Sequence, residues 1–201
     1  MVTMSKRKRP EIVYRFRLEL LGVAPTIWRT LEVPSTFSFF YLHRVIQLAL
    51  GWEDYHLHLF KVEKMKIGDP NPEWDLQCLD ERDLLLGEFP LQLGDEIRYE
   101  YDFGDGWDHL LVLEAMLLAE KDVTYPRCTG GARACPLEDC GGPWGYSEML
   151  KALADPTDPD YEHWSSWAGE DFDPEDFDFM AINADLAKAF KRRSQGKAKR
   201  S

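Results

Sequence analysis

Long apolar runs are missing from this chain. No stretch approaches the roughly 18–20 consecutive apolar residues that a membrane-spanning helix needs, which excludes a helical span. Cysteine is scarce: Cys78, Cys128, Cys135 and Cys140 are the four, and no two of them form a Cys-x-x-Cys pair. That spacing speaks against a zinc ribbon, and thiols or metal ligands are expected rather than disulfides. The Gly-rich run Gly141-Gly142-Pro143-Trp144-Gly145-Tyr146 lacks the Lys-Ser/Thr of a phosphate-cradling loop. Asp102-Phe103-Gly104 matches the kinase metal-binding motif in letters only, because neither a Gly-rich nucleotide loop nor a His-Arg-Asp catalytic loop accompanies it. Asp102, Asp105 and Asp108 do not have calcium-loop spacing. No Ser-His-Asp or Cys-His arrangement can be assigned. Basic residues are absent from Ala152 to Ala187, a stretch that carries eleven carboxylates.

What is present is acid and aromatic. The 201 residues include 36 acidic and 24 basic side chains, a net charge of −12. Hydrophobic residues at 44% and aromatics at 13% exclude a disordered chain. The charge is partitioned. Lys6 to Arg9 and the tail from Lys188 hold eleven basic residues and no acid, leaving a body between residues 10 and 187 with a net charge of −23. Such a body repels phosphate backbones. Nucleic acid could be met only by the basic ends, residues 1–9 and 191–201, which are expected to be mobile and solubilising. The partner that suits the body is a basic protein or peptide. No apolar signal core follows Met1 to Pro10, so a cytoplasmic protein that does not engage a membrane is expected.

The patterning implies α+β architecture in one compact domain from residue 10 to 190. Ile12 to Leu20 and Thr26 to Val33 alternate apolar with polar residues and read as an N-terminal β-hairpin. Leu42, Val45, Ile46, Ala49 and Leu50 recur at helical spacing within Phe39 to Leu50, with Gly51 as C-cap and His43 and Arg44 off the apolar stripe. Tyr55 to Val62 returns to strand. Ile97 to Phe103 and Trp107 to Glu114 form a second hairpin around Gly104-Asp105-Gly106. Tyr125 to Gly145 is rich in loops. Helices follow at Ser147 to Leu153, capped by Ser147, and at Ile182 to Phe190, capped by Asn183. Trp164, Trp167, Phe172, Phe177 and Phe179 are expected to pin the acidic block onto the body.

Three groups of residues could carry chemistry. His56 and His58, two apart on a predicted strand, project from one face about 6–7 Å apart, a spacing that suits a metal as well as a polar sheet face. In the second hairpin, a three-residue turn would place Phe103 opposite Trp107 and Tyr101 opposite His109. One face is then aromatic, with His109 at its edge bonded to a tyrosine, and Asp102 opposes Asp108. That like-charge pair asks for a cation or a proton. The third group is the loop Glu138, Asp139, Cys140, Gly141, Gly142, Trp144 and Tyr146, whose glycines would let backbone approach a ligand or simply order the loop. The candidate binding residues are therefore Asp102, Asp105, Trp107, Asp108, His109, Glu138, Asp139, Gly141, Gly142, Trp144 and Tyr146. The candidate ligands of a divalent metal are His56, His58, Asp102 and Asp108. All three groups are expected to converge on one polar pocket.

Several strings taken together carry a resemblance. They are Pro25-Thr26-Ile27-Trp28-Arg29, Leu42-His43, Gly51-Trp52 with His56-Leu57-His58-Leu59-Phe60, Tyr99 through His109, Cys128 with Gly130, Pro136 through Tyr146, and Phe172-Asp173-Pro174. The chain resembles the plasmid pRiA4b ORF-3-like family from about Ile12 to Phe190, with Leu137 where that family more often has proline. Some members of that family are labelled passenger proteins of insertion elements, and a resolvase label is attached to some. The resemblance implies a compact α+β domain. A serine resolvase needs a nucleophilic serine in an arginine-rich site and a helical DNA-binding module, and this acidic body has neither. Three functions remain open: a binding module for a basic partner, a hydrolase-like metal-dependent enzyme, and a mobile-element accessory that meets DNA through its ends.

Overall fold

The computed structural model describes residues 11–70, 77–169 and 171–191. Both basic ends lie outside the described residues except Lys191, so the expectation that they are mobile does too. The elements run β1 (Ile12–Leu20), β2 (Trp28–Pro34), α1 (Phe39–Leu50), β3 (His58–Val62), β4 (Met65–Gly68), β5 (Leu79–Asp80), β6 (Glu96–Tyr101), β7 (Trp107–Leu118), β8 (Arg127–Ala132), α2 (Gly142–Leu153), α3 (Tyr161–Ala168) and α4 (Phe179–Phe190). The strands form one mixed sheet in the order β5-β4-β3-β6-β7-β1-β2-β8, antiparallel except between β4 and β5. This is the α+β architecture expected.

Strand alternation decides which face is buried. Phe16, Leu18 and Leu20 of β1 fall on the side of Leu31 and Val33 of β2, and all five are buried. The opposite face of this pair carries charge: Glu32, fully buried, accepts from Arg15 on β1 at 2.7 Å and from Arg127 on β8 at 2.6 Å. Helix α1 covers the apolar face and ends where predicted, with Gly51 in the left-handed conformation donating its N–H to the Gln47 carbonyl. His43, off the apolar stripe by sequence, is nevertheless buried, as is Gln47 one turn later. Both reach Tyr99 of β6.

Two helix starts differ from expectation. Helix α2 begins at Gly142 rather than Ser147, because Gly141 takes the N-cap and Pro143 suits the first turn. Helix α4 begins at Phe179, capped by the Asp178 carboxylate, which accepts from the N–H groups of Met180 and Ala181. Asn183 does other work: its amide donates to the Cys128 carbonyl and accepts from the Cys128 N–H, completing one residue of edge strand β8. Of the rings in the acidic block, Trp164, Phe172 and Phe177 lie against the core, whereas Trp167 and Phe179 are exposed.

Candidate functional site

The β6–β7 hairpin pairs Tyr101 with Trp107, Tyr99 with His109 and Glu100 with Asp108. The register therefore differs by two residues from the expected one. The cause is Asp102, which adopts φ 54° and leaves the strand. Its carbonyl accepts from the Gly106 N–H at 2.6 Å, and its Oδ1 accepts from the N–H groups of Gly104 at 3.0 Å and Asp105 at 3.3 Å. A shift of two preserves side-chain parity, so Tyr99, Tyr101, Trp107, His109 and Leu111 share a buried face as expected, while Phe103 turns out into solvent. Asp102 and Asp108 are not neighbours. Asp108 is exposed opposite Glu100, and Lys61 on β3 relieves that pair by bonding Glu100 at 2.7 Å. His109 is fully buried, donates from Nδ1 to the Tyr99 carbonyl at 3.2 Å, and is pushed down to about 4 by desolvation. The imidazole is sealed inside the sheet, and its Nε2 has no hydrogen-bond partner among the described residues.

The Glu138–Tyr146 segment does meet the hairpin turn. Gly141 donates its N–H to the Asp105 carboxylate at 3.1 Å. A Cβ on Gly142, at φ 70°, would stand 2.2 Å from the Asp105 carbonyl oxygen, so glycine permits this docking. Glu138 accepts from the Tyr101 hydroxyl at 2.5 Å and from the Glu53 N–H at 2.8 Å. Burial and that carboxylate raise the Tyr101 phenol well above its ordinary value. Tyr146 is buried and Trp144 is 76% exposed, so they do not share an environment. The four cysteines are free, and burial pushes the Cys140 thiol up to about 12, which removes it as a nucleophile at neutral pH.

Two groups of metal-capable side chains form where α1, the chain leaving it, β3 and the hairpin turn meet. In the first, His43, Asp54 and His58 bring one ligand atom each within 4.8 Å of one another. The imidazoles of His43 and His58 stack with centroids 3.5 Å apart and planes 4° apart. His43 Nε2 bonds Asp54 at 2.6 Å, and His58 Nε2 bonds Glu81, only 1% exposed, at 2.6 Å. Behind them, the Tyr99 oxygen accepts from the Gln47 amide and shares a hydrogen bond with His43 Nδ1, each at 2.8 Å. Desolvation and the neighbouring His58 lower the His43 pKa and favour the neutral ring a metal requires. In the second group, His56, Asp102 and Asp139 lie within the same 4.8 Å limit. His56 and His58 thus belong to different groups, because β3 begins only at His58.

The first group lines a cleft of about 500 Å³ together with Phe40, Tyr55, His56 and Glu81. Charged lining residues comprise the carboxylates of Asp54, Asp69 and Glu81 and the guanidinium of Arg82. Asp54, Asp102 and Asp139 all hold left-handed backbone, at φ 63°, 54° and 60°, a conformation aspartate tolerates and that recurs at functional sites. His43, Asp54 and Glu81 escaped the sequence reading. The signals for His43 were its place in the Leu42-His43 string of the resemblance and its spacing of one helical turn from Gln47 beside an apolar stripe.

The model of the plasmid pRiA4b ORF-3-like protein family matches residues 12–181, and the chain belongs to that family. It is 35% identical over 190 residues to the uncharacterized protein y4hQ of Sinorhizobium fredii, covering 92% of this chain and 97% of that protein. It is 41% identical to MM3350, a protein of unknown function from Methanosarcina mazei Go1. The crystal structure of MM3350 aligns with a TM-score of 0.79 over 85% of this chain and 97% of that one. No helix among the described residues is long and apolar enough to cross a membrane.

Proposed function

We propose that this member of the pRiA4b ORF-3-like family is a metal-dependent enzyme of hydrolase type, with its cation held by His43, Asp54 and His58 in the cleft. The observation that carries this reading is the convergence of two imidazoles and a carboxylate within 4.8 Å at the wall of an accessible cavity. Two histidines and one carboxylate suit zinc or ferrous iron and leave coordination positions open for water and substrate. Such a cation lowers the pKa of bound water toward about 7 and so supplies a nucleophile at neutral pH. The chain contributes orientation and proton handling. Tyr99 and Gln47 fix the His43 ring from behind, as outer partners of metal-bound histidines do. Glu81, buried beside His58, is a carboxylate placed to accept a proton.

Elemental analysis of full-length protein purified without chelator tests this reading. Zinc, iron or manganese is expected, with one equivalent lost in Asp54→Asn and His58→Ala, together with metal-dependent cleavage of an aryl ester or aryl phosphate that the same variants lose. Metal-free protein that binds neither Zn²⁺ nor Mn²⁺ more tightly than about 1 mM refutes it. That result would favour the binding-module reading, which rests on the acidic body and the exposed Trp144.

A further inference from the structure

Separately from the cleft centre, we propose that His56, Asp102 and Asp139 hold a second divalent cation, which fastens the β6–β7 turn and the Glu138–Asp139 segment to the chain leaving α1. The key atom is His56 Nε2. It is buried and stands 3.2 Å from Asp139 Oδ1 and 3.6 Å from Asp102 Oδ2, yet it has no aligned hydrogen-bond partner among the described residues. One separation within hydrogen-bonding distance but without a hydrogen-bonding direction, and a second just beyond it, are what ligands converging on a shared ion display. Ligand atoms about 2.1 Å from an ion lie roughly 3.0 Å apart at right angles and roughly 3.4 Å apart at the tetrahedral angle. The two separations at His56 sit close to that range.

The carboxylates divide their oxygens in a way that supports the same conclusion. Asp102 commits Oδ1 to the N–H groups of Gly104 and Asp105 and turns Oδ2 to His56. Asp139 commits Oδ2 to the Tyr55 hydroxyl at 3.0 Å and turns Oδ1 to His56. One oxygen anchored from outside and the other aimed inward is the arrangement that orients metal-ligating carboxylates. One imidazole nitrogen with two carboxylate oxygens favours Mn²⁺, Fe²⁺ or Zn²⁺ over softer ions. A cation here would join three segments distant in sequence and offset two carboxylates in a strongly acidic body.

The test is calorimetric titration of chelator-stripped full-length protein with Zn²⁺ and, separately, Mn²⁺, alongside melting temperatures. Wild type is expected to bind two equivalents, and His56→Ala and Asp139→Asn one each. Filling the second site should raise the melting temperature of wild type but not of those variants. Tyr55→Phe, at an exposed side chain, keeps every ligand and should weaken the second equivalent about tenfold. Retention of the first equivalent shows that a variant is folded. A single wild-type equivalent that survives His56→Ala and Asp139→Asn overturns this proposal and leaves the cleft centre standing, and two equivalents that both substitutions leave untouched also overturn it. A single equivalent abolished by them, but indifferent to Asp54→Asn and His58→Ala, overturns the cleft centre instead. No equivalent at all overturns both.

Discussion

If His109 is a sealed structural histidine, the protein should lose stability on mild acidification through that residue. Its folded pKa of about 4 lies below the unfolded value of about 6.5, because burial penalises the charged ring. The unfolded chain therefore takes up a proton that the folded one refuses. The contribution is fully present above pH 6.5 and falls away as pH drops toward 4. Linkage over these two values gives a loss of about 2 kcal/mol between pH 7 and pH 5, and about 3 kcal/mol by pH 4. With a urea slope of about 2 kcal/mol/M, the midpoint should fall by about 1 M between pH 7 and pH 5. Other groups titrate in the same window, so the comparison that isolates His109 is the pH slope of wild type against His109→Asn. The asparagine amide can still donate to the Tyr99 carbonyl but does not titrate. The variant should be less stable throughout, having lost ring packing against Trp52 and Tyr99, yet its midpoint should vary less with pH. Parallel slopes, or an imidazole pKa above 6 by NMR, would refute the reasoning.

Two further outcomes concern the frame around the site. Glu32→Ala removes the buried carboxylate shared by Arg15 and Arg127; since both guanidiniums can rehydrate at the surface, the cost should be about 2–3 kcal/mol in urea unfolding, below that of a fully enclosed pair. Gly142→Ala should cost about 2–4 kcal/mol, because the new methyl meets the Asp105 carbonyl in addition to the left-handed penalty. Gly141→Ala, with nothing nearer than 3.6 Å, should cost only about 1–2 kcal/mol, and equal losses would show that the turn does not press on the loop.

Much of the frame was legible without coordinates. Period-two alternation in β1, β2, β6 and β7 assigns their buried faces, and the two-residue shift at Asp102 left that assignment intact because parity survives an even slip. The apolar stripe and Gly51 give both ends of α1. The short strand β8 and the start of α2 were lost in a glycine-rich stretch, where local propensity is weak and the decisive bonds come from β2 and the β6–β7 turn.

The candidate site was legible only in part. The sequence pointed to His56, Asp102 and the Asp139 loop as parts of one site, and the structure brings those three together. It could not separate His58 from His56, because spacing alone does not say where a strand begins. Nor could it find His43, Asp54 or Glu81. Periodicity is a property of neighbours along the chain and is fixed by backbone geometry. The meeting of a helix, a loop and a sheet edge depends on how α1 lies across the strands, and only tertiary packing decides that.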